Sequence, residues 1–207
     1  MAQQGFNINT FLAHVNENSI LKTNKFLCRF PLPSGLRGDP TLQPFMNDTS
    51  RNLEFWCDSA ALPPVILIEH PILRYGYGAI ERKPFSQQIE TSNFSFISDG
   101  KGAIWNFFYE WSKLILNFEQ GNSISQETNA ASGLTLAPYE LSYKYEYVSD
   151  VNIIAFNDAG EEAIKIVLRE AFPIFLSGSP LGWGEKGVMR HMITMTYHSW
   201  SVDRSIG

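Results

Sequence analysis

The sequence predicts a mainly β chain with one long helix, and three observations support this fold class. Apolar and polar residues alternate with a period of two in several short segments, as in strands that bury one face. Only one long segment, residues 102–118, repeats its apolar residues at helical spacing. Gly, Pro, Asn and Asp residues separate these segments and mark turns. Since we find no internal repeat and no interdomain linker, residues 25–207 are predicted to form a single β domain.

An amphipathic N-terminal arm, residues 1–24, is predicted to precede this domain. Its apolar residues follow the i, i+3, i+4, i+7 spacing of a helix that docks by one face. These residues are Ile8, Phe11, Leu12 and Val15. Residues 25–32 (KFLCRFPL) then predict a strand. The Pro and Gly residues within 31–50 interrupt regular structure, so this stretch is predicted to be a loop insertion.

Two segments in the middle of the chain predict strands with one apolar face. Residues 52–59 alternate apolar with polar side chains, and residues 88–98 place two phenylalanines on the face opposite their polar neighbours. The candidate core residues of these faces are Phe55, Cys57, Phe94 and Phe96. Residues 65–74 and 79–85 are further extended segments. They are joined by a flexible tip that contains Tyr75 and Tyr77.

The helical segment 102–118 carries a wide aromatic stripe that is predicted to pack on a sheet. Its candidate core residues are Phe108, Trp111 and Ile115. After it, turn signals divide a nearly all-β region into extended segments at 139–148, 151–156, 163–172 and 187–200. In the last of these, residues 189, 191, 193, 195 and 197 share one face of the strand.

The sequence contains no set of residues that predicts catalysis or cofactor binding. It has no phosphate-binding loop and no G-x-S-x-G elbow. Gly182 to Gly187 match the letters of a dinucleotide fingerprint, but a strand follows where a helix is needed, so a turn is predicted. His191 and His198 point to opposite faces of a strand and predict no metal site. We therefore expect no enzyme activity, no cofactor and no metal.

Charge and cysteine usage exclude further classes. The net charge of −5 and the scattered Lys and Arg residues disfavour tight DNA or RNA binding. No apolar run approaches the ~20 residues of a membrane span, and the start of the chain has no signal-peptide pattern, so assembly in the cytoplasm is expected. Cys28 and Cys57 could neighbour each other on paired strands, and they are predicted to be inert core thiols.

The order of four segments resembles the tail tube family of contractile-tailed, T4-like bacteriophages. The segments are LEFWCDSAALPP (53–64), QQIETSNFSFISDG (87–100), AIWNFFYEWSKLI (103–115) and MITMTYHSW (192–200). Phe172-Pro173 and Gly182-Trp183 are similar to that family's kink between its late strands. The resemblance covers about Lys25 to Asp203. It implies an antiparallel β-sandwich or small β-barrel with a flanking helix.

The resemblance also implies a structural virion protein. Members of the family form hexameric rings whose joined sheets line a channel, and the stacked rings make the inner tube through which DNA passes during ejection. The implied partners are other copies of the chain, the tail sheath, and baseplate or tail-terminator proteins; DNA passes without specific binding. Glu81 and Glu90 are candidate channel-lining residues, and Tyr75 and Tyr77 are candidate subunit contacts.

Three alternatives stay open at this point. The arm and the loop at 31–50 leave room for a paralogue that starts the tube at the baseplate or terminates it. A secretion-tube subunit of the type VI kind shares the architecture. A small-ligand-binding β-barrel is the third alternative, although the sequence offers no convergent polar set for it.

Overall fold

The computed structural model describes residues 8–9, 12–13, 20–37, 53–72, 78–118, 128–129, 134–135, 140–184 and 187–203. More of these residues lie in antiparallel strands than in helices. The strands are β1 (Phe26–Arg29), β2 (Cys57–Ala60), β3 (Ile66–Ile72), β4 (Glu81–Gln88), β5 (Ser92–Ile97), β6 (Thr128–Asn129), β7 (Leu134–Thr135), β8 (Ser149–Phe156), β9 (Glu162–Leu176), β10 (Arg190–Thr196) and β11 (Ser199–Val202). The α-helices are α1 (Ala103–Ile115) and α2 (Lys144–Tyr147), and Ser34–Leu36 form a 3₁₀ helix. None of the described helices has the length and hydropathy that a membrane span needs.

The longest strand, β9, connects the two layers of the fold. Along one edge it pairs first with β11 and then with β10. These two strands lie end to end, and the pairing keeps the same register from Thr196↔Phe172 in β10 to Ser199↔Arg169 in β11. Strand β8 pairs with the other edge of β9 from Glu162 to Ala171 and leaves the last five residues of that edge without a described partner. The hydrogen-bonded path therefore runs β1-β8-β9-β10-β5-β2. We call the pairing of β9 with β10 and β11 the ribbon.

Near the point where β9 passes from one layer to the other, Glu170 has a φ of 53°, which is unusual for a residue other than glycine. Two contacts hold this backbone conformation. The Glu170 amide donates to Asp150 Oδ1 at 2.9 Å, and the Glu170 carboxylate pairs with the Lys144 ammonium. Up to Ala171, β9 pairs with β8 and β11 in one layer, and from Phe172 it pairs with β10 in the other, so the predicted mainly β, antiparallel sandwich is confirmed.

One hydrophobic cluster fills the space between the two layers and α1. Phe30, which follows β1, lies at its centre, with its ring centroid 5.1 Å from that of Phe94, 5.3 Å from Phe96 and 6.1 Å from Phe108. These separations and the steep angles between the rings are typical of favourable edge-to-face packing. The cluster takes residues from all three structural parts, among them Val151, Ile153, Leu168, Ile193, Met195, Ile104, Phe107 and Leu114.

The helix α1 begins near the position that periodicity predicts. Asp99 Oδ1 accepts a hydrogen bond from the Ala103 amide at 2.7 Å and so satisfies a free N–H of the first turn. Phe108 and Trp111 are buried, whereas Ile115 is half-buried and packs at the margin of the core. The indole Nε1 of Trp111 donates to the Tyr147 carbonyl at 2.7 Å, which fastens α1 to α2.

The prediction that Phe55 lies in the core is wrong, because its side chain is 75% exposed. Residues 53–56 form a helical turn, and the strand begins only at Cys57. Positions two apart on a helix point about 200° from each other, whereas positions four apart share a face. Leu53 and Cys57 are therefore both buried, and Phe55 between them points outward.

Two predicted strands are also divided differently. Residues 144–147 of the predicted strand 139–148 form α2, which buries Glu146 and exposes the stacked rings of Tyr143 and Tyr145. The predicted strand 187–200 is interrupted at 197–198, between β10 and β11. Its predicted faces are confirmed for β10, where His191, Ile193 and Met195 are buried and the residues between them are not.

Several predictions fall partly or wholly outside the described residues. Ile8 and Leu12 are helical and exposed, while Phe11 and Val15 of the same predicted stripe are not described. Within the predicted loop 31–50 the description ends at Arg37, after the 3₁₀ helix. Tyr75 and Tyr77 also lie outside the described residues.

Candidate assembly surface

Strands β3 and β4 form a hairpin that pairs only with itself among the described strands. Its register runs from Ile66↔Gln88 to Ile72↔Glu81. Side chains on both faces are largely exposed, so the hairpin does not pack on the core. An isolated two-stranded hairpin is only marginally stable in water. Its exposed apolar side chains, together called the hairpin surface, are Val65, Leu67, Ile68, Ile80, Phe85 and Ile89.

The hairpin surface was not predicted from the sequence, although the sequence carries a signal for it. Ile66, Leu67 and Ile68 are consecutive apolar residues and break the alternation of a half-buried strand. Pro71 and Pro84 lie within the paired strands, and proline is confined to edge strands because it has no N–H to donate. An apolar run beside prolines therefore indicates an edge hairpin that another surface can cover.

A second exposed apolar region lies at the far end of the ribbon. Strand β8 pairs with β9 as far as Ala171, and beyond this residue no described strand pairs with that edge of β9. Unpaired strand edges are templates for pairing with another chain. The exposed apolar side chains on this end of β9, on the loop that follows it and on β10 are Ile174, Phe175, Leu181, Trp183, Val188, Met189 and Met192.

An apolar cleft of about 330 Å³ opens where β1 and β2 meet. Its walls include Leu21, Phe26, Ile153 and Ile164, and its rim carries charged residues. Two of those are Lys22 and Lys25, whose ammonium groups lie 3.0 and 2.8 Å from Asp158; the third, Asp58, lies 2.8 Å from Arg190. Each of these charged groups is therefore engaged in an ion pair at the rim.

The pKa shifts at this rim are those of paired surface carboxylates. Hydrogen bonds from Lys25 and Lys22 hold the pKa of Asp158 below its usual value. Burial alone would raise the pKa of Asp58, but hydrogen bonds from Ser95 and Arg190 outweigh this effect and lower it. Both groups therefore stay ionised at neutral pH, a state suited to ion pairing and not to proton transfer.

The most buried titratable ring is that of His191, which is 2% exposed. Desolvation lowers its pKa, so the imidazole is neutral at neutral pH. Its Nδ1 lies 3.5 Å from Ser179 Oγ, and its Nε2 has no hydrogen-bond partner. The described residues contain no group of three or more His, Cys, Asp or Glu side chains that could hold a metal ion.

The predicted channel-lining residues lie at opposite ends of β4. Glu81 begins the strand at the tip of the hairpin, where its carboxylate is 3.4 Å from Lys83 Nζ. Glu90 follows the end of the strand at the base of the hairpin. The pKa of Tyr197 is raised mainly by the burial of its own ring and secondly by the negative charge of Glu90. At about 3.4 Å per residue the two positions are about 30 Å apart, so they do not form one cluster.

A family model described as phage tail tube protein matches residues 21–203, which include every strand described above. The chain belongs to the phage tail tube protein family. The family is structural, so the chain is a structural tail component and not an enzyme. The resemblance drawn from the order of sequence segments is thereby confirmed.

Solved structures share the fold at low sequence identity. A chain of the 6-fold symmetrised cryo-EM structure of the anti-feeding prophage baseplate aligns with a TM-score of 0.57 and 9% identity, covering 89% of this chain and 95% of that one. A chain of the anti-feeding prophage tube terminating cap aligns with a TM-score of 0.50 and 16% identity, covering 89% and 91%. A search of curated protein sequences gives no match.

Proposed function

We propose that this family member is a subunit of the inner tail tube of a contractile tail, and that six copies form each ring of that tube. Stacked rings conduct DNA during ejection. The observation that carries this proposal is the hairpin surface, because an uncovered two-stranded hairpin with Leu67 62% and Phe85 80% exposed needs a partner. In a ring of identical subunits, the neighbouring copy is available to cover this hairpin surface.

Two further observations support a ring of identical subunits. The unpaired edge of β9 gives the sheet a place to continue into the next copy. The structurally similar baseplate chain comes from an assembly that was 6-fold symmetrised. In this proposal residues 25–207 are the tube domain, while the arm of residues 1–24 and the loop at 31–50 add contacts to neighbouring rings or to the sheath.

A tube-initiating or tube-terminating protein is the second candidate. The two similar chains described above come from a baseplate and from a tube terminating cap. A major tube subunit fills many rings, whereas an initiator or terminator fills one or two. The number of copies per particle, measured by quantitative mass spectrometry of purified particles, therefore decides between the two candidates.

The proposed assembly is tested by making the hairpin surface polar. Leu67→Ser with Phe85→Ser should leave the chain folded, since both side chains are exposed, and should prevent ring and tube formation. The matched control, Leu67→Met with Phe85→Leu, keeps the surface apolar and should assemble like the wild type. Size-exclusion chromatography with light scattering and negative-stain electron microscopy measure assembly, and circular dichroism confirms folding.

Two results would contradict the proposal. A wild-type chain that stays monomeric at high concentration in every salt condition does not form rings. A serine variant that assembles as well as its apolar control shows that the hairpin surface is not the contact between copies.

A further inference from the structure

The only two cysteines of the chain lie together at the seam where the outermost strands of the path meet. Cys28 is on β1 and Cys57 begins β2, and Cα atoms of these two strands come within 8 Å of each other. Both side chains belong to the same hydrophobic core cluster. Strands β1 and β2 are the two ends of the hydrogen-bonded path, so no ladder joins them directly.

The surroundings of this pair shield both cysteines from solvent. Cys28 is 0% and Cys57 is 7% exposed. Along their strands, Cys28 faces Ile153 of β8 and Cys57 faces Phe96 of β5. The Cys57 thiol also lies 3.4 Å from the Ser59 carbonyl, to which it donates. Among the described residues no third metal ligand joins the two thiols.

We propose that Cys28 and Cys57 form an intramolecular disulfide when the protein meets a small disulfide oxidant such as oxidised glutathione. The Cys57 thiolate attacks the oxidant, forming a mixed disulfide and releasing one reduced thiol. The Cys28 thiolate then attacks the Cys57 sulfur and releases the second thiol. The two cysteines lose two electrons and two protons, and one oxidant molecule is reduced to two thiols. This proposal does not depend on the proposed function.

Burial controls when this reaction occurs. The hydrogen bond with Cys57, together with desolvation, raises the pKa of the Cys28 thiol far above its ordinary value. The Cys28 thiolate, which closes the internal bond in the second step, is therefore scarce while the seam is closed. Opening of the seam, next to the cleft between β1 and β2, admits the oxidant first at Cys57, the more exposed of the two.

The resulting bond covalently joins the two ends of the strand path. It closes a loop of about 30 residues, and a cross-link of that length restricts the unfolded chain more than the folded one. Because the folded chain already holds both cysteines in one core cluster on neighbouring strands, folding and disulfide formation favour each other. The disulfide therefore forms more readily in the native protein than in the unfolded one.

The test compares the thiol–disulfide equilibrium of the full chain in native buffer and in denaturant. The protein is equilibrated with glutathione at a series of redox ratios, quenched with acid and measured by intact mass and peptide mapping. We expect a species about 2 Da lighter with a Cys28–Cys57 link. We also expect an equilibrium constant at least about tenfold larger in native buffer, which corresponds to about 30 mV for this two-electron couple.

Cys28→Ala and Cys57→Ala are the controls, and each should show only the mixed disulfide with glutathione. The proposal is overturned if native wild-type protein carries two glutathione adducts or links different chains in place of the internal bond. It is also overturned if the equilibrium constant in native buffer is equal to or below that in denaturant. The wild-type comparison alone decides the outcome if an alanine variant fails to fold.

Discussion

At the scale of single residues, Trp111 is expected to contribute to folding and not to contacts between subunits, because it lies in the core. Its side chain is fully buried, stacks against Phe108 and donates its indole N–H to the Tyr147 carbonyl. Trp105, on the same helix, is 37% exposed and stacks on Tyr109. The two tryptophans therefore form a matched pair within one helix.

Trp111→Ala is expected to lower the free energy of unfolding by about 3–5 kcal/mol, because it leaves a large cavity and an unpaired carbonyl. Trp105→Ala should cost less than about 1 kcal/mol, since a partly exposed ring leaves no closed cavity. Denaturant unfolding followed by circular dichroism measures both. Equal losses for the two variants would contradict the buried position of Trp111.

The buried His191 makes stability depend on pH near neutrality. Its pKa is lowered in the folded protein, so the unfolded chain takes up the proton first as the pH falls below about 6.5. The free energy of unfolding should therefore fall with pH from about 6.5 down to the lowered pKa of the folded state. Above about 6.5 the residue contributes no slope.

This pH dependence is measured by urea unfolding between about pH 5 and 8, a range above the titration of the paired carboxylates. His191→Gln should flatten the slope, whereas His198→Gln, at an exposed position, should retain it. A wild-type slope that survives in His191→Gln would assign the proton uptake to another group.

Residue burial was predictable where the period was unambiguous. Phe94 and Phe96 alternate with Asn93, Ser95 and Ile97, and the structure buries both rings. Phe55 could not be placed in the same way, because the spacing of Leu53, Phe55 and Cys57 fits a strand with one apolar face and also one helical turn that buries its ends. Only the tertiary packing of the turn decides between them.

At the scale of elements, the 3₁₀ helix at Ser34–Leu36 is wedged between α1 and α2. Ser34 Oγ donates to the Tyr145 carbonyl at 2.9 Å, and Leu36 is buried. A Cβ at Gly35 would lie 2.8 Å from Leu114 Cδ2 and 3.1 Å from the Glu146 carbonyl oxygen. Leu114 is itself buried in the core, so its side chain has little room to move.

Gly35→Ala should therefore lower the free energy of unfolding by about 1–3 kcal/mol through overpacking. Gly100→Ala is the matched control, because a Cβ there meets nothing within 4 Å. It should change stability by no more than about 0.5 kcal/mol. Thermal melting of both variants checks the difference. A Gly35→Ala variant as stable as the wild type would show that the three elements separate without cost.

Local periodicity predicted which segments are helices or strands, but it did not predict which strands pair with each other. The period of 3.6 in residues 102–118 predicted α1 to within a few residues of its observed bounds. The pairing of β9 with both β10 and β11 depends on contacts between residues far apart in sequence, which local patterns do not encode. The exposure of the β3–β4 hairpin was not predicted either. Apolar strands normally face a core, and local sequence does not show that this hairpin has no core to face.

At the scale of the whole molecule, the charge of the chain bears on the proposed passage of DNA. A net charge of −5 on each of six copies gives about −30 per ring before screening. In the proposed ring, this charge would repel phosphate over about a Debye length and would not bind it. The candidate channel-lining residues Glu81 and Glu90 remain a proposal, and their separation along β4 allows them to be tested one at a time.

Glu81→Lys with Glu90→Lys should leave the fold intact and give assembled tubes a salt-sensitive affinity for DNA. Each single variant reports on one end of the hairpin, so a gain confined to one of them identifies the end that faces the channel. Electrophoretic mobility shift of short duplex DNA at about 50 and 200 mM salt measures the affinity. Tubes of the double variant that bind DNA no better than wild-type tubes at low salt would exclude both residues from the channel wall.

The ribbon also has a mechanical consequence. Because β9 is one covalent chain that runs through both layers, a force that slides one layer over the other stretches backbone and not only side-chain contacts. The hydrogen bonds between β9 and the consecutive strands β10 and β11 lie across such a load and share it in parallel. The sandwich therefore resists shear along the ribbon more than it resists peeling at its two terminal strands, β1 and β2, where each ladder bond would break in turn.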